Sequence, residues 1–128
     1  MKTKKIWANF SVQDLERTTK FYNQLGFKQN GASDQLTSFF FGENSFIIHF
    51  FLKDVLVTGM KGQIIDTKAG IEIIFTLSAD SKEEVNNWEK EVRQAGGTIV
   101  SAPEEYGEGY YGFVFADPDG HRFNVFHM

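Results

Sequence analysis

The sequence predicts an α+β fold made of two β-α-β-β-β modules. One observation is that strand-like and helix-like segments follow the same order in both halves of the 128 residues. Another is that landmarks recur at a similar offset, because Phe10 and Phe75 are 65 residues apart and Gly26 and Gly96 are 70 apart. An internal duplication explains both observations. We therefore expect one domain built from two repeats.

The expected boundaries follow from these landmarks. The single domain covers residues 1–128, with a first module at 5–52 and a second module at 70–128. A connector at 53–69 joins them. It is long for an idle loop, which predicts a flap or a short helix.

In the first module, residues 6–12 are rich in apolar and aromatic side chains, which predicts a strand. Residues 14–25 place apolar side chains at helical spacing, and Gly26 suits the left-handed stop of a helix. Three further strands are predicted at 27–30, 37–41 and 45–52, with turns at 31–34 and 42–44.

The second module repeats this order. Residues 70–77 predict a strand, and Ser81 with Glu84 forms the S-x-x-E capping box that begins a helix. Gly96 and Gly97 end that helix. Three more strands are predicted at 98–101, 111–116 and 121–127, the last two joined by a turn of Asp117, Pro118, Asp119 and Gly120.

Alternation along the strands separates two faces of each sheet. Four strands share a wholly apolar face that suits packing against helices. Their second faces each carry one central polar or indole group: Trp7, His49, Glu72 and Asn124. Because desolvating His49 or Glu72 without a partner is costly, these faces are expected to line a wet or ligand-filled hollow. Sheets curled into an open barrel, with the helices outside, meet that requirement.

Charge and composition exclude several classes of protein. Lys and Arg number 13 against 17 Asp and Glu, so the net charge of −4 argues against nucleic-acid binding. The absence of cysteine excludes disulfides and thiolate chemistry. The longest apolar stretch, at 46–52, contains His49 and is too short to cross a membrane. No secretory apolar region follows Lys5, so we expect a cytoplasmic protein.

Aromatic residues are unusually frequent, with 14 Phe, 4 Tyr and 2 Trp. This is more ring surface than a small core needs, so some rings are expected to line a cavity or an interface. The candidates that join the four central residues are Phe51, Tyr106, Tyr110 and Arg122. Tyr106 and Tyr110 lie in a predicted glycine-rich loop, whereas Arg122 shares a strand face with Asn124.

Two segments carry a resemblance to a known family. Residues 10–27 (FSVQDLERTTKFYNQLGF) and 115–126 (FADPDGHRFNVF) resemble the vicinal oxygen chelate superfamily. That superfamily includes glyoxalase I, extradiol dioxygenases and bleomycin resistance proteins. Residues 106–112 (YGEGYYG) are similar to the branch of predicted lactoylglutathione lyases. The resemblance implies the glyoxalase/bleomycin resistance/dioxygenase fold and a homodimer.

The resemblance also implies a metal site at Trp7, His49, Glu72 and Asn124. Indole is not a ligand and an amide oxygen is a weak one, so only His49 and Glu72 are competent. We therefore expect a degenerate metal site and no cofactor, with a divalent metal at His49 and Glu72 as the alternative. These two residues could instead form an ion pair that supports acid–base chemistry or only fixes the fold.

Three functions follow from these observations. The first is binding of a small aromatic or amphiphilic molecule in the hollow of the sheets, as in the resistance proteins. The second is a metal-dependent lyase or isomerase that resembles lactoylglutathione lyase. The third is a non-catalytic dimeric structural protein. The first is favoured because the metal set is broken and aromatic rings are in excess.

Overall fold

A computed structural model of the chain describes residues 1–43 and 46–128. The predicted turn at 42–44 and the predicted strand start at 45 involve Asn44 and Ser45, which lie outside the described residues. The chain divides into two compact units, Met1–Ile65 and Asp66–Met128. Within the described residues, no helix is long and apolar enough to cross a membrane.

The first unit is a four-stranded sheet with two helices. Its elements are β1 (Trp7–Val12), α1 (Leu15–Gln24), β2 (Gln29–Ala32), β3 (Leu36–Phe41), β4 (Phe46–Leu52) and α2 (Lys53–Met60). The strand order is β1-β4-β3-β2, in which β1 runs parallel to β4 and the other pairs are antiparallel. The connector does form a short helix, α2.

Local signals define the limits of α1. The side chain of Asp14 caps the helix by accepting a hydrogen bond from the backbone N–H of Arg17 at 3.0 Å. Gly26 adopts a φ of +87° directly after the helix, a conformation that glycine takes without a steric penalty. The sequence predicted both ends of the helix correctly to within one residue.

The core of the first unit is aromatic. Tyr22 of α1 is fully buried and stacks on Phe50 of β4 with 4.6 Å between ring centroids. It also contacts Phe39 and Phe41 of β3, at centroid distances of 5.5 and 5.7 Å. One face of the sheet is therefore sealed by α1, which leaves the opposite face for other contacts.

The second unit repeats this topology. Its elements are β5 (Phe75–Ser78), α3 (Lys82–Ala95), β6 (Thr98–Tyr106), β7 (Tyr110–Ala116) and β8 (Arg122–His127). The strand order is β5-β8-β7-β6, with β5 parallel to β8. The predicted α+β fold class with two β-α-β-β-β modules is thus confirmed.

The Ser81 cap of α3 is present as predicted, although the side chain of Glu84 accepts from the backbone N–H of Asp80, at 2.6 Å, and not from that of Ser81. Ser81 Oγ accepts a hydrogen bond from the backbone N–H of Glu84 at 3.1 Å, and Gly96 ends the helix with a φ of +93°. The helix packs against β6, β7 and β8 and buries Val85 and Val92. The buried residues of α3 are both valines, whereas those of α1 include the rings of Phe21 and Tyr22.

The prediction of a strand at 70–77 is wrong for its first five residues. The strand β5 begins only at Phe75, which pairs with Phe123. Because β8 begins at Arg122, directly after a turn, residues before 74 meet no partner strand in this sheet. Glu72 is therefore outside the sheet and exposed to solvent.

The predicted glycine-rich loop that contains Tyr106 and Tyr110 is also shorter than expected. The strand β6 continues past residue 101, through two irregularities in its register, until Tyr106 pairs with Tyr110. Both tyrosines therefore lie on strands at the end of a tight hairpin. Residues 102–105 have a weak strand preference in the sequence, but they are part of β6 because the strand continues to pair with β7 as far as Tyr106.

The acidic turn before β8 is structural, as predicted. The carboxylate of Asp117 accepts hydrogen bonds from the backbone N–H groups of Asp119 and His121, at 3.0 and 2.9 Å. Gly120 adopts a φ of +95° and lies so close to Thr67 that an added Cβ would meet its carbonyl oxygen at 2.8 Å. The carboxylate of Asp117 therefore stabilises the turn, and the absence of a side chain at Gly120 lets the turn pack closely against the connector.

Candidate functional site

The face of the first sheet that lies opposite α1 carries the candidate site residues of the first unit; we call it the first distal face. Side chains alternate along β4, so Ile48 and Phe50 point to the buried core. Their neighbours Ile47, His49 and Phe51 point the other way and are half-buried. This face is the one that sequence alternation predicted to be mixed.

Strand register brings polar side chains into one row across the first distal face. His49 of β4 is aligned with Asn9 of β1 on one side and with Ser38 of β3 on the other. The register between β2 and β3 shifts between Gln29 and Gly31, which adds one residue to β2. This irregularity presents Asn30 to Ser38, at a distance of 3.1 Å between Nδ2 and Oγ.

His49 is held by this row. Its Nδ1 lies 2.8 Å from Ser38 Oγ, and Ser38 is only 1 % exposed. Burial lowers the pKa of His49 below its ordinary value of 6.5, so the imidazole is neutral at physiological pH. A neutral imidazole has one nitrogen that donates and one that accepts a hydrogen bond. The side chain can therefore recognise a polar group of a ligand or accept a proton.

Two aromatic rings flank His49. The Trp7 ring lies 6.4 Å from the imidazole centroid in an edge-on arrangement, and the Phe51 ring lies 6.0 Å away. Trp7 is 53 % exposed, although it is the largest apolar side chain of the first distal face. The arrangement combines a polar centre with an accessible ring surface.

The second sheet has an equivalent face opposite α3, which we call the second distal face. Tyr111 points to the helix, because its hydroxyl donates a hydrogen bond to Asn86 Oδ1 at 2.7 Å. By alternation, Tyr110 and Gly112 belong to the second distal face. Asn124 of β8 lies on this face as well, since its register partner is Val114.

An aromatic cluster occupies one end of the second distal face. The ring of Phe126 stacks on Tyr110 at a centroid distance of 5.3 Å and packs against Tyr106 at 6.0 Å. The hydroxyl of Tyr106 is 3.0 Å from Ser101 Oγ, which fixes that ring. Gly112 makes room for Phe126, because a Cβ at this position would lie 2.8 Å from the Phe126 ring.

The predicted site residues divide between the two units. The structure brings Trp7, His49 and Phe51 together on the first distal face. On the second distal face it places the other candidates that lie on strands: Tyr106, Tyr110, Arg122 and Asn124. Glu72 is the exception, since it lies before β5 and is exposed. Its expected position at the centre of a strand is wrong, because β5 is shorter than predicted.

The donors on these faces do not fit a metal centre. His49 contacts a hydroxyl and two aromatic rings, none of which is a ligand comparable to carboxylate or imidazole. Across residues 1–43 and 46–128, no three His, Asp or Glu side chains lie close enough together to hold a metal ion. Of the four residues that the superfamily resemblance implies as ligands, only His49 and Glu72 carry side chains suited to a divalent ion, and Glu72 lies outside the sheet.

Sequence reasoning missed Ser38 and Asn30 as partners of His49. Ser38 is a polar residue within a run of phenylalanines, and alternation along 37–41 separates it from Phe39 and Phe41. That signal could have assigned Ser38 to the first distal face. Asn30 could not have been found, because its hydrogen bond with Ser38 depends on a register irregularity that no local pattern predicts.

Comparisons with known proteins agree with this architecture. The family model of the Glyoxalase/Bleomycin resistance protein/Dioxygenase superfamily matches residues 6–125. The chain is similar to a hypothetical protein from S. aureus, with 28% identity, a TM-score of 0.88, and coverage of 100% of this chain and 96% of that one.

Two further solved structures are similar in fold. A glyoxalase/bleomycin resistance protein/dioxygenase family enzyme from Burkholderia phytofirmans has 21% identity and a TM-score of 0.79, over 94% of this chain and 95% of that one. A glyoxalase-related enzyme from Fulvimarina pelagi has 18% identity and a TM-score of 0.85, over 98% and 89%.

No curated protein matches the chain significantly. The lactoylglutathione lyase branch therefore stays a prediction. The family model, however, covers nearly the whole sequence and agrees with the motifs at 10–27 and 115–126. The chain belongs to the Glyoxalase/Bleomycin resistance protein/Dioxygenase superfamily.

Proposed function

We propose that this protein binds a small aromatic or amphiphilic molecule through the distal faces of its sheets, without a catalytic metal. The observation that supports this proposal best is the combination of Trp7, His49 and Phe51 on the first distal face. It provides ring surface and a neutral polar group within 6.4 Å of each other. Pockets for small molecules commonly combine apolar lining with a few placed polar groups.

The exposure of Trp7 favours a ligand at this position. An indole that is 53 % exposed leaves a large apolar surface in water. Covering it with a planar molecule would recover free energy in proportion to the apolar area removed from water, about 25 cal/mol per Å². Stacking geometry would add to this gain. A flat, partly apolar ligand therefore suits this side chain.

The aromatic cluster of the second distal face supports the same ligand class. Tyr110 is 41 % exposed and stacks on Phe126, so a ring surface is again accessible beside polar hydroxyls. The neighbouring Asn124 and Arg122 add an amide and a cation to that face. Both sheets therefore offer amphiphilic rather than purely apolar surfaces.

A metal-dependent lyase or isomerase is less well supported. Such an enzyme needs three or four ligands around a divalent ion, with a position left for substrate. The exposure of Glu72, and the hydroxyl and aromatic rings that contact His49, argue against that set. We expect calorimetric titration with zinc, nickel, manganese and iron(II) to show no stoichiometric binding. Binding that is lost in His49→Ala would favour the lyase instead.

Tryptophan fluorescence tests the proposed ligand class, because the chain has only two tryptophans. Trp7 lies on the first distal face, whereas Trp88 lies on α3. The variant Trp88→Phe leaves Trp7 as the single reporter, and Trp7→Phe leaves Trp88. With a panel of naphthalene and indole derivatives, we expect a saturable change in Trp88→Phe and none in Trp7→Phe.

The matched pair of variants makes the outcome decisive. A saturable signal that persists only in Trp7→Phe would place the ligand elsewhere and contradict the proposal. The absence of any change in either variant, together with an unshifted melting temperature, would favour the non-catalytic structural alternative.

We also propose that the protein is a cytoplasmic homodimer. Strands β2 and β6 are edge strands, each with one strand neighbour in its sheet among the described residues. Such edges are commonly covered by another chain. Sedimentation equilibrium should give twice the mass of 14.6 kDa, and a monomer at all concentrations would contradict the dimer.

A further inference from the structure

We infer that Asn30 and Ser38 fix His49 in the tautomer with the proton on Nε2, so that the site selects ligands carrying an acceptor oxygen, such as a carbonyl or carboxylate. The preference for ligands with an acceptor oxygen rests on the proposed function. The tautomer of His49 is a property of the free protein and does not depend on that proposal.

The direction of the hydrogen bonds follows from counting protons. Asn30 Nδ2 can only donate, so Ser38 Oγ accepts at this contact. The hydroxyl of Ser38 can then donate one hydrogen bond through its own proton. His49 Nδ1, at 2.8 Å, is its other hydrogen-bond partner in the part of the chain that the structure describes.

The alternative tautomer leaves a proton without an acceptor. If Nδ1 of His49 carried the proton, Ser38 Oγ would accept from both neighbours and its own proton would need a third partner. Ser38 is only 1 % exposed, so water does not reach it readily. A buried donor without an acceptor is costly. The neutral imidazole therefore accepts at Nδ1 and carries its proton on Nε2.

This tautomer determines what a ligand must offer. Nδ1 is occupied by Ser38, and within residues 1–43 and 46–128 Nε2 of His49 has no hydrogen-bond partner. Nε2–H is a donor, so its counterpart is an acceptor oxygen. The rings of Trp7 and Phe51 beside the imidazole favour a planar group around that oxygen.

The variant Asn30→Asp tests the tautomer, because a carboxylate can only accept. It should draw the Ser38 proton toward residue 30 and leave Ser38 Oγ to accept from His49, which moves the imidazole proton to Nδ1. Long-range ¹H–¹⁵N spectra distinguish the two tautomers, and the measurement is made at a pH where the imidazole is neutral. The chain has three histidines, so His49→Gln assigns the signal and His121 and His127 serve as internal controls.

We expect an Nε2–H pattern for His49 in the native protein and an Nδ1–H pattern in Asn30→Asp. The isosteric exchange keeps the shape of residue 30, which is exposed, so folding should be retained. An Nδ1–H pattern in the native protein would overturn the inference. So would an unchanged Nε2–H pattern in Asn30→Asp.

A pair of probes tests the ligand preference. 2-Acetylnaphthalene carries an acceptor oxygen, and 2-ethylnaphthalene has nearly the same shape without it. In Trp88→Phe we expect the ketone to bind about fivefold more tightly, which corresponds to one net hydrogen bond. In the double variant Trp88→Phe with Asn30→Asp, this preference should disappear.

The outcomes separate the two proposals. Equal affinities in Trp88→Phe would overturn the selectivity for acceptors while leaving aromatic binding intact. If neither naphthalene binds, the proposed function and the ligand preference both fail for this class of molecule. The spectra of the free protein would still decide the tautomer.

Discussion

The two sheets share one topology and differ at their centres. In both, the first strand of the module runs parallel to the last, and the remaining pairs are antiparallel. On the first distal face, His49 lies between Asn9 and Ser38. On the second distal face, the corresponding Asn124 lies between Thr76 and Val114.

This difference separates what the repeat conserves from what it varies. The order and pairing of the strands, and the helix that follows the first strand, are the same in both units, whereas α2 and the side chains on the distal faces are not. The first face has a titratable group in a hydrogen-bonded row, and the second has an aromatic cluster around Phe126. The same module therefore supports two kinds of surface, as expected when function depends on side chains placed on a common fold.

The largest expected effect comes from the contrast between the rings that α1 buries and the valines that α3 buries. Tyr22 lies four residues before Gly26, which follows α1. Val92 lies four residues before Gly96, which ends α3. Tyr22→Ala should lower the free energy of unfolding by about 4 kcal/mol, because it removes a buried ring that contacts Phe39, Phe41 and Phe50. Val92→Ala removes fewer atoms and should cost about half as much.

Urea unfolding, followed by circular dichroism, measures both values. Equal losses in the two variants would show that the buried ring of Tyr22 contributes no more to the free energy of unfolding than the side chain of Val92. That result would contradict the contrast between the two cores.

A smaller effect is expected from the two distal faces. Gly112→Ala should destabilise the protein by about 2 kcal/mol, because its Cβ would lie 2.2 Å from the carbonyl oxygen of Val125. Gly31→Ala is the matched control, since a Cβ there meets nothing within 4 Å. Thermal unfolding of both variants tests this. A Gly112→Ala protein as stable as the control would show that the backbone of Val125 and the ring of Phe126 do not need the space that glycine leaves.

The smallest effect concerns the pH dependence of stability. Burial lowers the pKa of His49 in the folded state, so the unfolded chain takes up a proton first as the pH falls. Stability should therefore decrease as the pH falls below about 7, until the folded-state pKa is reached. His49→Gln removes this contribution, so the stability advantage of the native protein over the variant should shrink between pH 7.5 and 5. Parallel stability curves over this range would contradict the lowered pKa of His49.

Much of the fold could be predicted from local signals. The capping side chains of Asp14 and Ser81 and the glycines at 26 and 96 mark the helix ends, because each satisfies a local requirement of the backbone. Strand limits were less predictable. The apolar residues at 71–74 have a strong strand preference, yet a strand also needs a partner, and β8 begins too late to pair with them.

The candidate site was predictable only in part. Alternation placed Trp7, His49 and Phe51 on one face from the sequence alone, and the structure agrees. It could not place Glu72, because alternation applies only where a strand exists. It also could not show that Ser38 and Asn30 hold the imidazole, since these residues are separated from His49 by 11 and 19 positions in the chain.

The sequence by itself determined the fold class, the repeat and the side chains that each strand presents away from its helix. These properties depend on local periodicity, capping and turn residues, which are readable along the chain. Only the tertiary structure decided which side chains meet across strands, because register and its irregularities arise from pairing between distant segments. The row from Asn30 through Ser38 to His49 exists for that reason, and with it the tautomer that we propose.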